Sequence, residues 1–238
     1  MAGTWFNVIA ILVGTALGLL LKRGISEVTN TAILRVEGVT ICMIGLNGML
    51  KSMLRVENGR LQDSGSILLL ISLVLGCLVG EWLRIEDRLN SFGNYVENRF
   101  QINDFAKGFV AASLIFPIGA MALLGALYDG LGNSSVLIAK GMLDGITAVV
   151  LASTLGVGVA FAAIPVLLLQ GSVSLLAVQL EPFLTDAFLD PFCMVGYAIV
   201  LCIGLNFLLD AKIKVANLLP ALFIPIGYYI FTLFIPVL

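Results

Sequence analysis

Residues 3–21 read GTWFNVIAILVGTALGLLL, a run without a charged side chain, and Lys22-Arg23 follows at once. As an α-helix rising 1.5 Å per residue the run is roughly 28 Å long, close to the ~30 Å hydrocarbon core of a bilayer. A secretory leader has a shorter apolar region, a basic segment ahead of it and a small-residue cleavage site. This run has none of the three and is expected to remain as a first membrane span.

Working outward, further apolar runs fall at 32–54, 66–83, 107–127, 135–153, 157–180, 192–209 and 216–236. The 238 residues are 60% hydrophobic and 12% charged, against about 45–50% and about 25% in a soluble domain. A water-soluble globule of this size needs more polar surface than that, so the expected fold class is an all-α membrane protein. It is read as a single polytopic domain, residues 1–238, with about eight transmembrane helices, or seven if one of the weaker runs fails to span. The runs at 32–54 and 135–153 are the weaker ones, because they carry Arg35, Glu37, Asn47 and Lys51, and Lys140 and Asp144. With a net charge of −2, no histidine and no basic cluster, the footprint of a nucleic-acid binder is missing. Cys42, Cys77, Cys193 and Cys202 lie singly, without the paired spacing of a zinc or redox site.

Positive loops are retained in the cytoplasm. With the amino terminus outside, Lys22, Arg23, Arg84, Arg88, Arg99, Lys107, Lys212 and Lys214 fall inside, while Lys51, Arg55 and Arg60 fall outside. Eight spans then leave both termini outside. The connection 85–105 places Ile85, Leu89, Phe92, Val96 and Phe100 at helical spacing among charges, the pattern of an amphipathic helix on the cytoplasmic membrane surface.

Internal similarity gives two incompatible readings. Phe116-Pro117-Ile118-Gly119 matches Ile224-Pro225-Ile226-Gly227, implying two parallel halves of four helices. Glu37-Gly38-Val39-Thr40 resembles Asp144-Gly145-Ile146-Thr147, implying three-helix units of inverted topology. The internal repeat is taken as the inverted kind.

Asp144 is the sharpest chemical feature. It lies roughly 14 Å along its helix from Ser135, near the midplane, where an ionised side chain costs at least about 2.5–3.5 kcal/mol. Lys140 is one turn away and can pair with it. Alternatively Lys140 snorkels outward and leaves Asp144 facing a water-filled cavity as a proton or cation site. Gly141 and Gly145 flank it at a spacing that admits another backbone. Glu37 is shallower and is read either as a carboxylate reaching the cytoplasmic interface or as a binding group. Asn7, Asn47, Asn206 and Asn217 could line a polar path or bond across helices. Pro117 with Gly119, and Pro225 with Gly227, fall near the centres of their runs, where proline removes a helical hydrogen bond. Broken helices of this kind bind substrates in many transporters. Pro165 offers a third kink.

The chain has no phosphate-binding glycine loop and no His-Glu-x-x-His sequence. An enzyme is not expected and no cofactor is implied; a metal is left open. The motifs Asp129-Gly130, Ile138-Ala139-Lys140, Leu143-Asp144-Gly145, Ala152-Ser153-Thr154-Leu155-Gly156 and Ala216-Asn217-Leu218-Leu219-Pro220-Ala221 together resemble the bacterial multispanning membrane family typified by YdfK and YqgA. Gly3-Thr4 with Asn7, and Gly80-Glu81, extend the resemblance over nearly the whole chain. It implies a bacterial inner (cytoplasmic) membrane location and a transporter-like role, and supplies neither substrate nor functional residues.

The leading expectation is a secondary transporter or channel for a small polar solute or inorganic ion, working around a midplane site at Asp144 with Lys140 as modulator. The alternative is a non-transporting scaffold or assembly protein that docks partner subunits on glycine-rich faces, such as Gly14 with Gly18 and Gly76 with Gly80. The expected partners are the lipid bilayer and the small solute or ion; a homo-oligomer, as a dimer, is left open.

Overall fold

The computed structural model describes residues 1–22, 26–57, 59–100 and 105–234. Arg23 and residues 101–104 of the amphipathic connection lie outside the described residues, as do the side chains of Phe92 and Phe100.

The chain is helical almost throughout. Its elements are α1 (Ala2–Lys22), α2 (Glu27–Met53), β1 (Leu54–Glu57), β2 (Arg60–Asp63), α3 (Ser66–Leu83), α4 (Ile85–Phe100), α5 (Phe105–Ile115), α6 (Ala120–Gly130), α7 (Ser135–Leu155), α8 (Gly158–Phe161), α9 (Ala163–Leu175), α10 (Ala177–Leu180) and α11 (Asp186–Leu209). A 3-10 helix, Val215–Leu222, then leads into α12 (Phe223–Phe234). Among the described residues, seven stretches are long and apolar enough to cross a membrane. The run expected at 107–127 is divided into α5 and α6, so the expected eight spans become seven plus one interrupted segment. Ile67, Leu168 and Leu175 are 76%, 67% and 72% exposed. Side chains of this kind in such numbers face lipid, since water would not tolerate the apolar patch they form.

Three helix pairs build the body. α1 and α7 run parallel, in contact because a Cβ at Gly14 would strike the Gly145 carbonyl and one at Gly18 the Val149 carbonyl. α2 and α11 run antiparallel, with Gly38 beside Leu208 and Gly48 against the Tyr197 ring. α3 lies antiparallel to the 3-10 helix, Gly76 on Ala221 and Gly80 on the Asn217 carbonyl. Small residues permit these approaches, and dispersion contacts then hold the helices where lipid offers no hydrophobic driving force. The same contacts correct an expectation. Gly14, Gly18, Gly76 and Gly80 are consumed inside the chain and present no docking face to a partner subunit.

Each proline acts on the turn before it, because its ring lacks the N–H and clashes with the carbonyl four residues back. α5 ends two residues before Pro117, and the chain resumes as α6 after Gly119, whose φ of 120° and ψ of 152° suit only glycine. Pro165 is the third residue of α9, and the interruption falls at Ala162. Pro225 is the third residue of α12, so the discontinuity sits at the change from 3-10 to α geometry between Leu222 and Phe223. The break expected at Pro225 and Gly227 is thus displaced upstream, and Gly227 lies within a continuous helix with open space around it.

Smaller differences have local causes. α2 begins at Glu27, ahead of its apolar run, because the Ser26 hydroxyl caps it by accepting from the Thr29 amide at 3.3 Å. β1 and β2 pair antiparallel, with Glu57 opposite Arg60. The Asn58-Gly59 dipeptide between them is the strongest short hairpin signal a sequence can carry. α4 occupies residues 85–100 of the connection, with Val96 buried and Tyr95 exposed.

Candidate functional site

α1, α7 and α9 each contribute polar side chains to one buried cluster. The Lys140 ammonium donates to both Asp144 oxygens, at 2.8 Å and 2.7 Å. Asn7 reaches the same carboxylate from α1, its Nδ2 donating to Asp144 Oδ2 at 3.0 Å and to Gln170 Oε1 of α9 at 3.1 Å. Gly141 makes this reach available, since a Cβ there would meet the Phe6 ring and the Asn7 backbone. All four side chains are buried. Lys140 does not snorkel outward; it folds over one turn and neutralises Asp144.

The cluster is not closed on itself. Asn7 Oδ1 and Gln170 Nε2 are buried and have no partner among the described residues. Since Nδ2 of Asn7 must face the carboxylate and Gln170 Oε1, the amide orientations leave one acceptor and one donor group uncommitted. A buried polar atom without a partner costs ~1–3 kcal/mol. Gln170 escaped the sequence reading, although an amide in the apolar run 157–180, which also holds Gln179, is the same signal that singled out the asparagines.

A second polar group adjoins this one along α1. Asp129, at the end of α6 beyond its apolar run, accepts from the Gly3 and Thr4 amides at 2.9 Å each, from the Thr4 hydroxyl at 2.9 Å and from the Ser134 hydroxyl at 2.6 Å. Burial alone would push its carboxyl up, but these donors outweigh it and hold the pKa down to about 2. The Thr4 hydroxyl also meets Ser174 Oγ at 3.3 Å, and Ser174 donates to the Ala126 carbonyl. Asp129 therefore caps α1 one turn before Asn7. Sequence reasoning gave it no role beyond the family resemblance.

The remaining candidates are dispersed. Glu37 is buried rather than at the interface: Thr154 Oγ1 donates to its Oε2 at 2.9 Å, while its Oε1 has no partner. Asn206 clamps Ile213 through both amide atoms at 2.8 Å. Asn217 is engaged in structure: its Oδ1 accepts from the Glu86 amide at the start of α4, and its Nδ2 donates to Glu81. Asn47 is exposed on α2 and joins no cluster. Asn47 and Asn217 thus lie apart from the Asp144 cluster.

The two helix breaks share a neighbour on α11. A Cβ at Gly196 of α11 would meet Ile118 and Leu222, one from each break, and Gly119 lies under the Tyr197 hydroxyl.

A cavity of about 360 Å³ opens at the basic end of the helices, with Glu86, Lys107, Asn206, Asp210, Lys212 and Lys214 among its lining. Asp210 and Lys212 hold left-handed backbone, with φ of 50° and 56°, a strained conformation for residues other than glycine. Among the described residues, no group of three or more His, Cys, Asp or Glu side chains is placed to hold a metal.

The model of one protein family, described as a protein of unknown function (DUF554), matches residues 2–230. Across 94% of both chains the sequence is 35% identical to the uncharacterized membrane protein YdfK of Bacillus subtilis (strain 168). Across 92% of both it is 28% identical to the uncharacterized protein YqgA of Escherichia coli (strain K12). No solved structure matches. With apolar helices built for several crossings and a family match over nearly its full length, the chain is a multi-pass membrane protein that belongs to the DUF554 family, whose function is unknown.

Proposed function

We propose that the chain is a secondary transporter or channel that carries a small polar solute or inorganic ion past the Asp144 cluster. The observation that carries this reading is the pair of unpartnered atoms, Asn7 Oδ1 and Gln170 Nε2, beside a buried Lys140–Asp144 ion pair. An ion pair kept only for packing would be expected to sit among satisfied neighbours, because removing charges from water is offset only by good geometry and further hydrogen bonds. Here a donor and an acceptor stand ready for a ligand or its water shell. Intramembrane ionisable residues of this kind mark ion and substrate pathways.

In this mechanism Asp144 is the ion or proton site and Lys140 the internal counter-charge that occupies it between passages. Asn7 couples the carboxylate to Gln170, so a solute that engages the amides also loosens the ion pair. The helix breaks are left out of the pathway, since they meet at α11. The basic helix ends face the cytoplasm, both termini lie outside, and the membrane is the bacterial inner membrane.

Flux into proteoliposomes tests the proposal. The Asp144→Asn variant, compared as the fraction that reconstitutes folded, is expected to lose it.

A further inference from the structure

We infer that Glu37 is a second ionisable site, a carboxylate that takes up a proton from the aqueous cavity at the basic end of the helices. The inference stands apart from the Asp144 reading and concerns a different helix pair.

Glu37 lies where α2 packs against α7 and α11. It is 7% exposed, with one oxygen bound by the Thr154 hydroxyl and the other unpartnered. The cavity reaches its neighbours on all three helices. Leu34, one turn before it, Leu155, adjacent to Thr154, and Ile203, adjacent to the Gly204 that abuts Gly38, all line the cavity wall. Polar groups continue from there to solvent through Asn206, Asp210 and Glu86.

The charged surroundings leave Glu37 without a counter-ion. On α2 itself Arg35 is exposed. On α7 the neighbours are the neutral Ser153 and Thr154. On α11 the backbone beside it runs through Gly204 and Leu208 to Asp210, which lines the cavity. Lys22 of α1 reaches the Thr154 carbonyl at 3.4 Å rather than the carboxylate. Lys107, Lys212 and Lys214 line the cavity, and Lys214 is held by Glu81 at 3.0 Å. Among the described residues no cation lies within ion-pair distance of Glu37.

A buried carboxylate with one hydroxyl donor and no counter-ion is strongly disfavoured as an anion. A proton on the open oxygen removes the charge. A hard metal cation would call for about six or more oxygen ligands. The carboxylate and Thr154 Oγ1 fall well short of that, and the Gly38–Gly204 contact closes one side. Proton uptake at Oε1 is the chemistry the site fits, with water in the cavity as donor.

Infrared difference spectra of the full chain in lipid nanodiscs, taken between acidic and alkaline buffer, test this. Wild type is expected to show a protonated-carboxyl carbonyl band that Glu37→Gln lacks. Thr154→Val keeps the band but shifts it, since the hydroxyl hydrogen bond is gone, which covers the case where Glu37→Gln does not fold. Leu34→Trp, which fills the cavity wall, is expected to keep the band yet slow its appearance after a pH jump about tenfold. Identical spectra for wild type and folded Glu37→Gln, or for wild type and Thr154→Val, overturn the site. An unchanged rate in Leu34→Trp overturns the route. A band abolished by adding sodium at constant pH shows that the site takes a metal cation and overturns the proton assignment. None of these readouts depends on flux past Asp144, so this inference and the transport proposal fail separately.

Discussion

The Lys140 ammonium contacts both oxygens of Asp144, at 2.8 Å and 2.7 Å, and each side chain is only 9% exposed. The order lysine before acid is the less favoured one on an isolated helix, so tertiary burial, rather than helix propensity, holds the pair together. Removing one partner leaves the other as an uncompensated buried charge.

Lys140→Met is therefore expected to destabilise the protein by about 3–5 kcal/mol. The double variant Lys140→Met with Asp144→Leu recovers most of that loss, because the desolvation penalty disappears with both charges. Denaturation in mixed micelles, read as a double-mutant cycle, checks both statements. A double variant as unstable as the sum of the singles contradicts them.

Gln170→Leu separates transport from packing. It removes one hydrogen bond worth roughly 1 kcal/mol within a membrane bundle, and with it a buried donor that has no partner. Stability is expected to change by less than about 1 kcal/mol while flux falls severalfold. Normal flux in Gln170→Leu would remove the amide from the pathway.

Asp129 gives a pH dependence with a definite sign. Its carboxyl is held near 2, below the ordinary 3.8, so the folded state favours the charged form. The stabilisation is complete above about pH 4 and is lost as pH falls through about 2. It is worth about 2 kcal/mol at most, and Asp129→Asn abolishes this acid dependence. Unfolding midpoints between about pH 6 and about pH 2 compare wild type with the variant; parallel curves would refute the assignment.

Two glycines should respond oppositely to alanine. A Cβ at Gly80 meets the Asn217 carbonyl, whereas at Gly227 it meets nothing. Gly80→Ala is expected to cost about 1–3 kcal/mol by overpacking. Gly227→Ala is expected to be neutral or to stabilise α12 by up to about 1 kcal/mol through helix propensity. Thermal unfolding of the two variants decides; equal effects contradict the packing of α3 on the 3-10 helix.

The spans were legible because hydropathy over 18 or more residues is a strong signal, and Asp144, Lys140 and Asn7 stood out as polar groups in apolar runs. What sequence could not give was the partner of each polar group. Asn217 carries the same signal as Asn7, yet it caps α4, while Asn7 enters the buried cluster. Gln170 was overlooked in a long apolar run, and the two readings of Glu37, interfacial carboxylate or binding group, differ by how α2 packs on α7 and α11, which has no local signature. The Ser26 cap and the Asn58-Gly59 dipeptide were readable in the chain. The displacement of the break from Pro225 to Leu222 follows from proline acting on its preceding turn. That the two breaks meet at Gly196 is a tertiary fact with no local signature.

On the proposed reading an ion or small polar solute passes through the Asp144 cluster. Currents or tracer flux from proteoliposomes, screened across protons, alkali cations, halides and small zwitterions, test it most directly when wild type and folded Asp144→Asn are compared side by side. A solute-dependent signal in wild type that Asp144→Asn abolishes is the predicted result, and an undiminished signal in that variant would contradict it.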